Sequence, residues 1–309
     1  SGFDHIRLPV DEQVLWDDAG KRREQEWLRL HAALSWCQRQ ALRILVDLHV
    51  VRSHYFNAAF QGRENPLWKD ESEQARLADL WRKLSGELKT YPVEAVGYEI
   101  LNEPVSPDTE TWNRILNRVH TAIREKEPDR TIVIGSNMWQ KVHTVPELRL
   151  PADDPNIVVS FHYYEPGMIT HYRSSWTALR EYDGPVNYPG VPYPAECLPK
   201  EPSEDLRTLL EEGNRYYDRD VIRREVSAAV DHIRSLGLTP YCGEWGCLRL
   251  APRAIRLAWC RDVASVLAEL KVGWSIWDYK GGFALVDAKS LVPDHELINL
   301  LTGHDGVRG

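Results

Sequence analysis

Two glutamates close short apolar runs in this chain, and they are the side chains best placed to do chemistry. Glu103 ends AVGYEILNEP (Ala95 to Pro104), whose apolar, β-branched beginning reads as a buried strand and whose Pro104 cannot continue a ladder. Glu244 sits near the end of PYCGEWG (Pro240 to Gly246), a second short strand. One carboxyl can protonate a leaving oxygen while another meets positive charge developing on carbon, so two from different strands can divide the work of an acid-assisted cleavage.

Such side chains need a scaffold that brings strand ends to one face. Strand patterns recur at Phe3 to Val10, Arg43 to His49, the Glu103 strand, Thr131 to Ser136, Asn156 to Tyr164, the Glu244 strand and Gly273 to Tyr279. Between them, helical spacing covers Gln25 to Gln40, Ser72 to Lys89 with Ser72 as its cap, Thr109 to Lys126, Val221 to Leu236 and Ala254 to Leu270. A last helix lies near His295 to Leu301. Strand, helix, strand, helix is the rhythm of a parallel sheet, and the fold class expected is α/β, a (β/α)8 TIM barrel.

Six of the seven strands carry a polar or aromatic group at the exit: Arg7, His49, Asn102 with Glu103, His162 with Tyr164, Glu244, and Trp277. Strand bodies in such a barrel are packed core and their carboxyl ends converge, so these six exits read as one site. His54, Trp139 and Lys280 lie shortly beyond exits and join the candidates for binding substrate. Aromatic side chains suit pyranose rings, whose CH faces are apolar. The longest stretch without periodicity, Glu165 to Asp220, holds many Pro, Gly and Tyr residues and Trp176, and is expected to wall a cleft.

The exit motifs HIRLP, VDLH, ILNEP, SFHYY, GEWG and SIWDY, spread over nearly the whole chain, resemble those of the family 5 glycoside hydrolases, which include many endo-β-1,4-glucanases. Carried over residue by residue, the resemblance implies that Glu103 is the general acid/base and Glu244 the nucleophile of a retaining, double-displacement mechanism. It implies that Asn102 bonds the sugar 2-hydroxyl, Arg7 holds the nucleophile, and His162 and Tyr164 line the site. His49 would contact the sugar beside the cleaved bond and Trp277 would lie under that sugar. No metal or organic cofactor is expected. The family has a further strand ahead of HIRLP, so the barrel is expected to lack its first strand in this numbering, leaving the Phe3 to Val10 and Gly273 to Tyr279 strands unpaired with each other.

Composition agrees with such an enzyme. The 309 residues, 43% hydrophobic, suffice for one catalytic barrel domain across 1–309, with the insertion at about 165–220. Lys and Arg total 38 against 46 Asp and Glu, a net charge of −8 with no massed basic patch, which argues against nucleic acid as partner. No apolar run is long enough to span a bilayer. The expectation is a monomer acting on β-glucan, secreted or periplasmic with its leader removed. Cys37, Cys197, Cys242, Cys247 and Cys260 show no zinc-type spacing and read mostly as reduced, buried small hydrophobes. The alternatives are a mannanase, xyloglucanase or β-1,3-glucanase of the same family, and a non-catalytic glycan-binding barrel. A phosphate-handling barrel has only Gly281 and Gly282 in its favour and leaves the aromatic residues unexplained.

Overall fold

The computed structural model describes residues 2–58, 63–151 and 153–303. Among them are strands β1 (His5–Val10), β2 (Arg43–Leu48), β3 (Val96–Glu99), β4 (Ile132–Gly135), β5 (Ile157–Tyr163), β6 (Thr239–Trp245) and β7 (Gly273–Ile276). They follow one another in a single sheet in chain order, with β1 and β7 as its end strands. Helices α1 (Glu12–Leu15) and α2 (Glu24–Arg39) follow β1, α3 (Glu71–Leu88) follows β2, α4 (Thr109–Arg124) follows β3, and the short α5 (Asn137–Gln140) follows β4. After β5 come α6 (Gly167–Thr170), α7 (Glu204–Gly213) and α8 (Arg219–Ser235), then α9 (Arg253–Glu269) after β6 and α10 (His295–Thr302) after β7. This is the α/β order of the (β/α)8 barrel class, with seven strands among the described residues.

By its internal contacts the chain divides into two compact units. One comprises Phe3–Phe161 and Asp231–Tyr241; the other comprises Ser1–Gly2, His162–Val230 and Cys242–Gly309.

In the first unit β1 to β4 pair in parallel, with Arg7 opposite Leu45 and Tyr98 opposite Ile132. Five of the six residues of β2 are buried, as expected of a strand covered on both faces. Pro9 lies inside β1, an end strand in the order of the sheet, where proline is tolerated. Leu45 of β2, Val133 of β4 and Tyr241 of β6 form one buried cluster, the contribution from alternate strands that fills a barrel interior. Helix α4 buries Trp112, Ile115, Leu116, Val119 and Ile123 at helical spacing. Asp108 caps it by accepting the Thr111 N–H at 2.7 Å. In α3 the cap is Asp70, not Ser72: its carboxylate takes both the N–H and the hydroxyl of Ser72 at 2.8 Å. Two buried indoles brace strand exits, Trp81 donating to the Ile100 carbonyl at 2.8 Å and Trp112 to that of Gly135 at 2.9 Å.

In the second unit the stretch 165–220 is more ordered than its sequence suggests. It contains α6, α7 and two 3-10 turns, and its tyrosines pack on one another, Tyr182 stacking on Tyr193 at 3.8 Å. Helix α7 carries Leu206, Leu209 and Leu210 at helical spacing, the first buried and the others half-buried, in too short a run to stand out in the sequence. Its readable signal is Ser203, whose hydroxyl caps the helix at the Leu206 N–H. Of the cysteines, all five are free thiols, four of them buried and Cys197 exposed.

Candidate active site

Glu103 stands in the first unit, four residues beyond the end of β3, and is 8% exposed. Its backbone is left-handed, with φ at +43°. An L-residue there costs roughly 1–2 kcal/mol, so the surroundings must hold it. They do so at both ends of the residue. The Glu103 N–H donates to Gln140 Oε1 at 2.9 Å, and the Glu103 carbonyl accepts from His54 Nε2 at 3.0 Å.

His54 itself has no exposed surface and lies edge-on to Trp68 at 4.9 Å. Burial pushes its pKa down to about 4, the bond to Glu103 opposing only in part, so the ring is neutral and donates from Nε2. The sequence reading offered His54 as a sugar contact. In the structure it is fully buried and committed through Nε2 to the Glu103 carbonyl, so it supports the Glu103 backbone.

Asn102 is fully buried, and its Oδ1 accepts from Arg7 Nη2 at 2.8 Å. Its Nδ2 has no partner among the described residues, which is costly for a buried donor and leaves one N–H pair for a ligand. Arg7 also bonds Glu99 through Nε at 2.6 Å and Nη2 at 3.1 Å, and pairs with Asp47 at 3.0 Å. Glu99 and Asp47 have no exposed surface, so one guanidinium serves two buried carboxylates. Asp47 in turn accepts from His49 Nδ1 at 2.7 Å, which fixes the ring of His49 at the exit of β2. Sequence reasoning missed Asp47, Glu99 and Gln140. The first two did carry a signal, an acid inside an otherwise apolar strand.

Trp139 lies on α5, a turn in which Met138, Trp139 and Gln140 are all left-handed, with φ of +53°, +61° and +55°. Its N–H donates to the Pro104 carbonyl at 3.2 Å and its indole to the Phe56 carbonyl at 3.0 Å. Asn137 exchanges two bonds with the backbone of Ser106, at 2.8 and 3.1 Å.

In the second unit Glu244, 5% exposed, sits one residue before the end of β6. Tyr164 donates its hydroxyl to Glu244 Oε2 at 3.0 Å, and His162 Nδ1 lies 3.7 Å from the same oxygen. His162 and Tyr164 reach one side of β5 because strand residues alternate. Tyr163 between them points the other way, donating to Glu225 at 2.8 Å and stacking on Trp259. Gly246 has no room for a side chain, since a Cβ there would lie 2.3 Å from the Trp277 carbonyl oxygen. The Trp277 N–H donates to the Trp245 carbonyl at 2.8 Å and ties the exits of β6 and β7 together.

Trp277 is half-buried, and Lys280 lies over the exposed ring of Tyr279, its Nζ 5.0 Å from the centroid. Asp278 accepts the Gly281 N–H at 2.8 Å; burial raises its pKa, that bond opposes, and Glu244 adds to the rise. Aromatic rings run outward from Tyr164. His171 lies 5.1 Å from it, Phe283 5.8 Å, and Trp176, 37% exposed, lies 5.9 Å beyond His171. Trp245 is fully buried against Trp259 and Trp274 and has no face for a ligand.

Polar groups at the exits of a (β/α)8-type sheet are the arrangement of a barrel enzyme. Residues 1–282 match the model of Cellulase (glycosyl hydrolase family 5), and the chain belongs to that family. It is a glycoside hydrolase. Among curated relatives, Endoglucanase C of Acetivibrio thermocellus is 29% identical over 97% of this chain and 87% of its own length. Cellodextrinase A of Ruminococcus flavefaciens is 27% identical over 87% of this chain and 72% of its own. Of solved structures, Thermotoga maritima Cel5A in complex with cellobiose aligns with a TM-score of 0.77 at 22% identity, covering 97% of this chain and 86% of that one. A hyperthermophilic endo-β-1,4-glucanase in complex with substrate aligns at 0.74 and 23% identity, covering 98% and 86%. These likenesses establish the fold. No helix among the described residues is long and apolar enough to cross a membrane.

Proposed function

We propose that this glycoside hydrolase is a retaining endo-β-1,4-glucanase, with Glu103 as acid/base and Glu244 as nucleophile. The observation that carries the reading is that each acid stands nearly buried near the exit of its strand with its own fixed surround. Glu103 is gripped by Gln140 and His54 beside the unpartnered Nδ2 of Asn102, and Glu244 takes a hydroxyl from Tyr164. In the first step Glu244 attacks the anomeric carbon while Glu103 protonates the departing oxygen, giving a glycosyl-enzyme. In the second, Glu103 takes a proton from water, which displaces Glu244 and restores the original configuration. Arg7, His49, Asn102, Trp139, His162, Tyr164, Trp277 and Lys280 are the substrate-binding set in this reading, with Trp277 beneath the sugar at the cleaved bond. Family membership and the endoglucanase names of the relatives support β-1,4-glucan as substrate. We further propose one catalytic domain in which the 165–220 insertion serves the leaving-group side. A secreted or periplasmic location belongs to the same proposal, because a polymeric glucan is too large to enter a cell.

Reducing-sugar release on a panel of carboxymethylcellulose, mixed-linkage glucan, mannan, xyloglucan and β-1,3-glucan tests the substrate. Inactivity on the first two would overturn it. Glu244→Ala should abolish turnover on every substrate. Glu103→Ala should spare only glycosides whose leaving group needs no proton, and added azide should then yield a β-glycosyl azide. A mechanism-based fluorosugar should label Glu244. Fresh product appearing first as the α-anomer by proton NMR, or a label on Glu103, would refute the assigned roles.

A further inference from the structure

We propose that Gln140 is a positioning residue for the acid/base carboxylate, set by the left-handed turn that carries it; the inference rests on Glu103 being that group. Gln140 has no exposed surface, and both ends of its carboxamide are committed. Oε1 accepts the Glu103 N–H at 2.9 Å, and Nε2 donates to Glu99 Oε1 at 3.3 Å. The amide's orientation follows from its partners, because a backbone N–H can only donate and a buried carboxylate paired with Arg7 can only accept. Few other side chains could serve both. Glutamate would set two carboxylates against each other, asparagine is one methylene short, and methionine has the length but neither polar end.

The backbone around Gln140 is built to present it. Three consecutive left-handed residues, Met138 to Gln140, turn the chain after β4 back toward the segment that follows Glu103. Asn137 clasps Ser106 by two bonds and Trp139 ties to Pro104, so Glu103, Pro104 and Ser106 are held from Gln140, Trp139 and Asn137. Gly135 completes the arrangement. A Cβ there would lie 2.0 Å from Gln140 Nε2, so only glycine leaves the carboxamide its place. The same amide reaches Arg7 through Glu99, and Arg7 holds the Oδ1 of Asn102. Gln140 therefore links the direction of the Glu103 side chain to the frame that aims Asn102, without itself meeting substrate.

The test compares kcat/KM on a dinitrophenyl cellobioside, whose leaving group needs no proton, with kcat/KM on a cello-oligosaccharide, whose leaving group does. Gln140→Met should lose about 10- to 100-fold on the oligosaccharide and less than about 3-fold on the activated glycoside, at a circular-dichroism spectrum equal to the parent's. Gly135→Ala, which displaces the carboxamide from the other side, should give the same split. Glu103→Ala is measured alongside. If it shows no dependence on leaving group, the acid/base assignment itself is wrong. If it shows the dependence while both other variants lose equally on the two substrates, the positioning role is overturned. Should one variant fail to fold, the other decides. Failure of both to fold would also overturn the proposal, since Gln140 would then be a structural residue.

Discussion

Asn102 offers the sharpest test of how the site reads a sugar. Its Oδ1 is already taken by Arg7 at 2.8 Å, so the side chain cannot flip, and its buried Nδ2 must donate to whatever comes. If the partner is the 2-hydroxyl beside the reacting carbon, the bond strengthens as the sugar becomes oxocarbenium-like, and such bonds supply several kcal/mol. Asn102→Ala should then lower kcat/KM on an ordinary aryl cellobioside by roughly 2–3 kcal/mol, about 30- to 150-fold. Asn102→Asp, which keeps an acceptor for Arg7 but replaces the donor by a second acceptor, should lose at least as much. The assay is a cycle over enzyme and substrate: parent and Asn102→Ala, each on the ordinary and the 2-deoxy glycoside. The interaction predicts that the variant loses less than about 3-fold on the 2-deoxy compound. Equal losses on both substrates would refute the reasoning, because the asparagine would then be acting through something other than that hydroxyl.

Three further outcomes follow from other parts of the chain. Trp176→Ala should raise KM on polymeric glucan several-fold while leaving kcat on a small aryl glycoside within about 2-fold; equal losses would argue against a role on the leaving-group side. Because His54 is held near a pKa of about 4 and titrates near 6.5 when unfolded, the unfolded chain binds the extra proton first as pH falls. Its contribution is complete above pH 6.5 and is lost between 6.5 and 4, by about 3 kcal/mol, so the fall in chemical-denaturation stability over that window should be shallower in His54→Gln. Arg130→Met should lower stability by about 3–5 kcal/mol, on the order of 10 °C in Tm, because the buried guanidinium pairs with Glu127 and bonds the carbonyls of Tyr91, Pro92 and Val96. A melting shift below about 2 °C would show that water satisfies those groups instead.

Much of the framework was legible because it is periodic. Seven strands and six principal helices could be placed from apolar spacing, and their order alone indicated a parallel α/β barrel. The exits Arg7, His49, Asn102, Glu103, His162, Tyr164, Glu244 and Trp277 stood out because a polar or aromatic residue ending an apolar strand has no packing purpose. What could not be read is short or aperiodic. Helix α7 offers only the short stripe Leu206, Leu209 and Leu210 inside a long irregular stretch, and the turn from Asn137 to Gln140 depends on backbone angles that Met, Trp and Gln rarely adopt. His54 stood out by its type, whereas its burial and its bond to the Glu103 carbonyl are tertiary facts that no spacing reveals.

The acids of the first unit fall into two layers with different physical tasks. Asp47 and Glu99 lie in the bodies of β2 and β3, fully desolvated, and are tolerable only because Arg7 answers both. Glu103 lies just beyond, slightly exposed, with its backbone rather than its carboxylate held by Gln140 and His54. Holding the backbone of Glu103 sets the direction in which its side chain leaves the chain. The buried acids contribute to it at one remove: Glu99 fixes Arg7 and Gln140, Arg7 fixes Asn102, and Gln140 fixes the start of Glu103. Replacing Glu99 by glutamine would therefore act on two neighbours at once. One of its two oxygens would become an N–H facing Arg7 or Gln140, both of which are donors. Its effect on kcat/KM should exceed that of either Gln140→Met or Asn102→Ala although Glu99 has no exposed surface, and a smaller effect would mean that the two layers are not coupled.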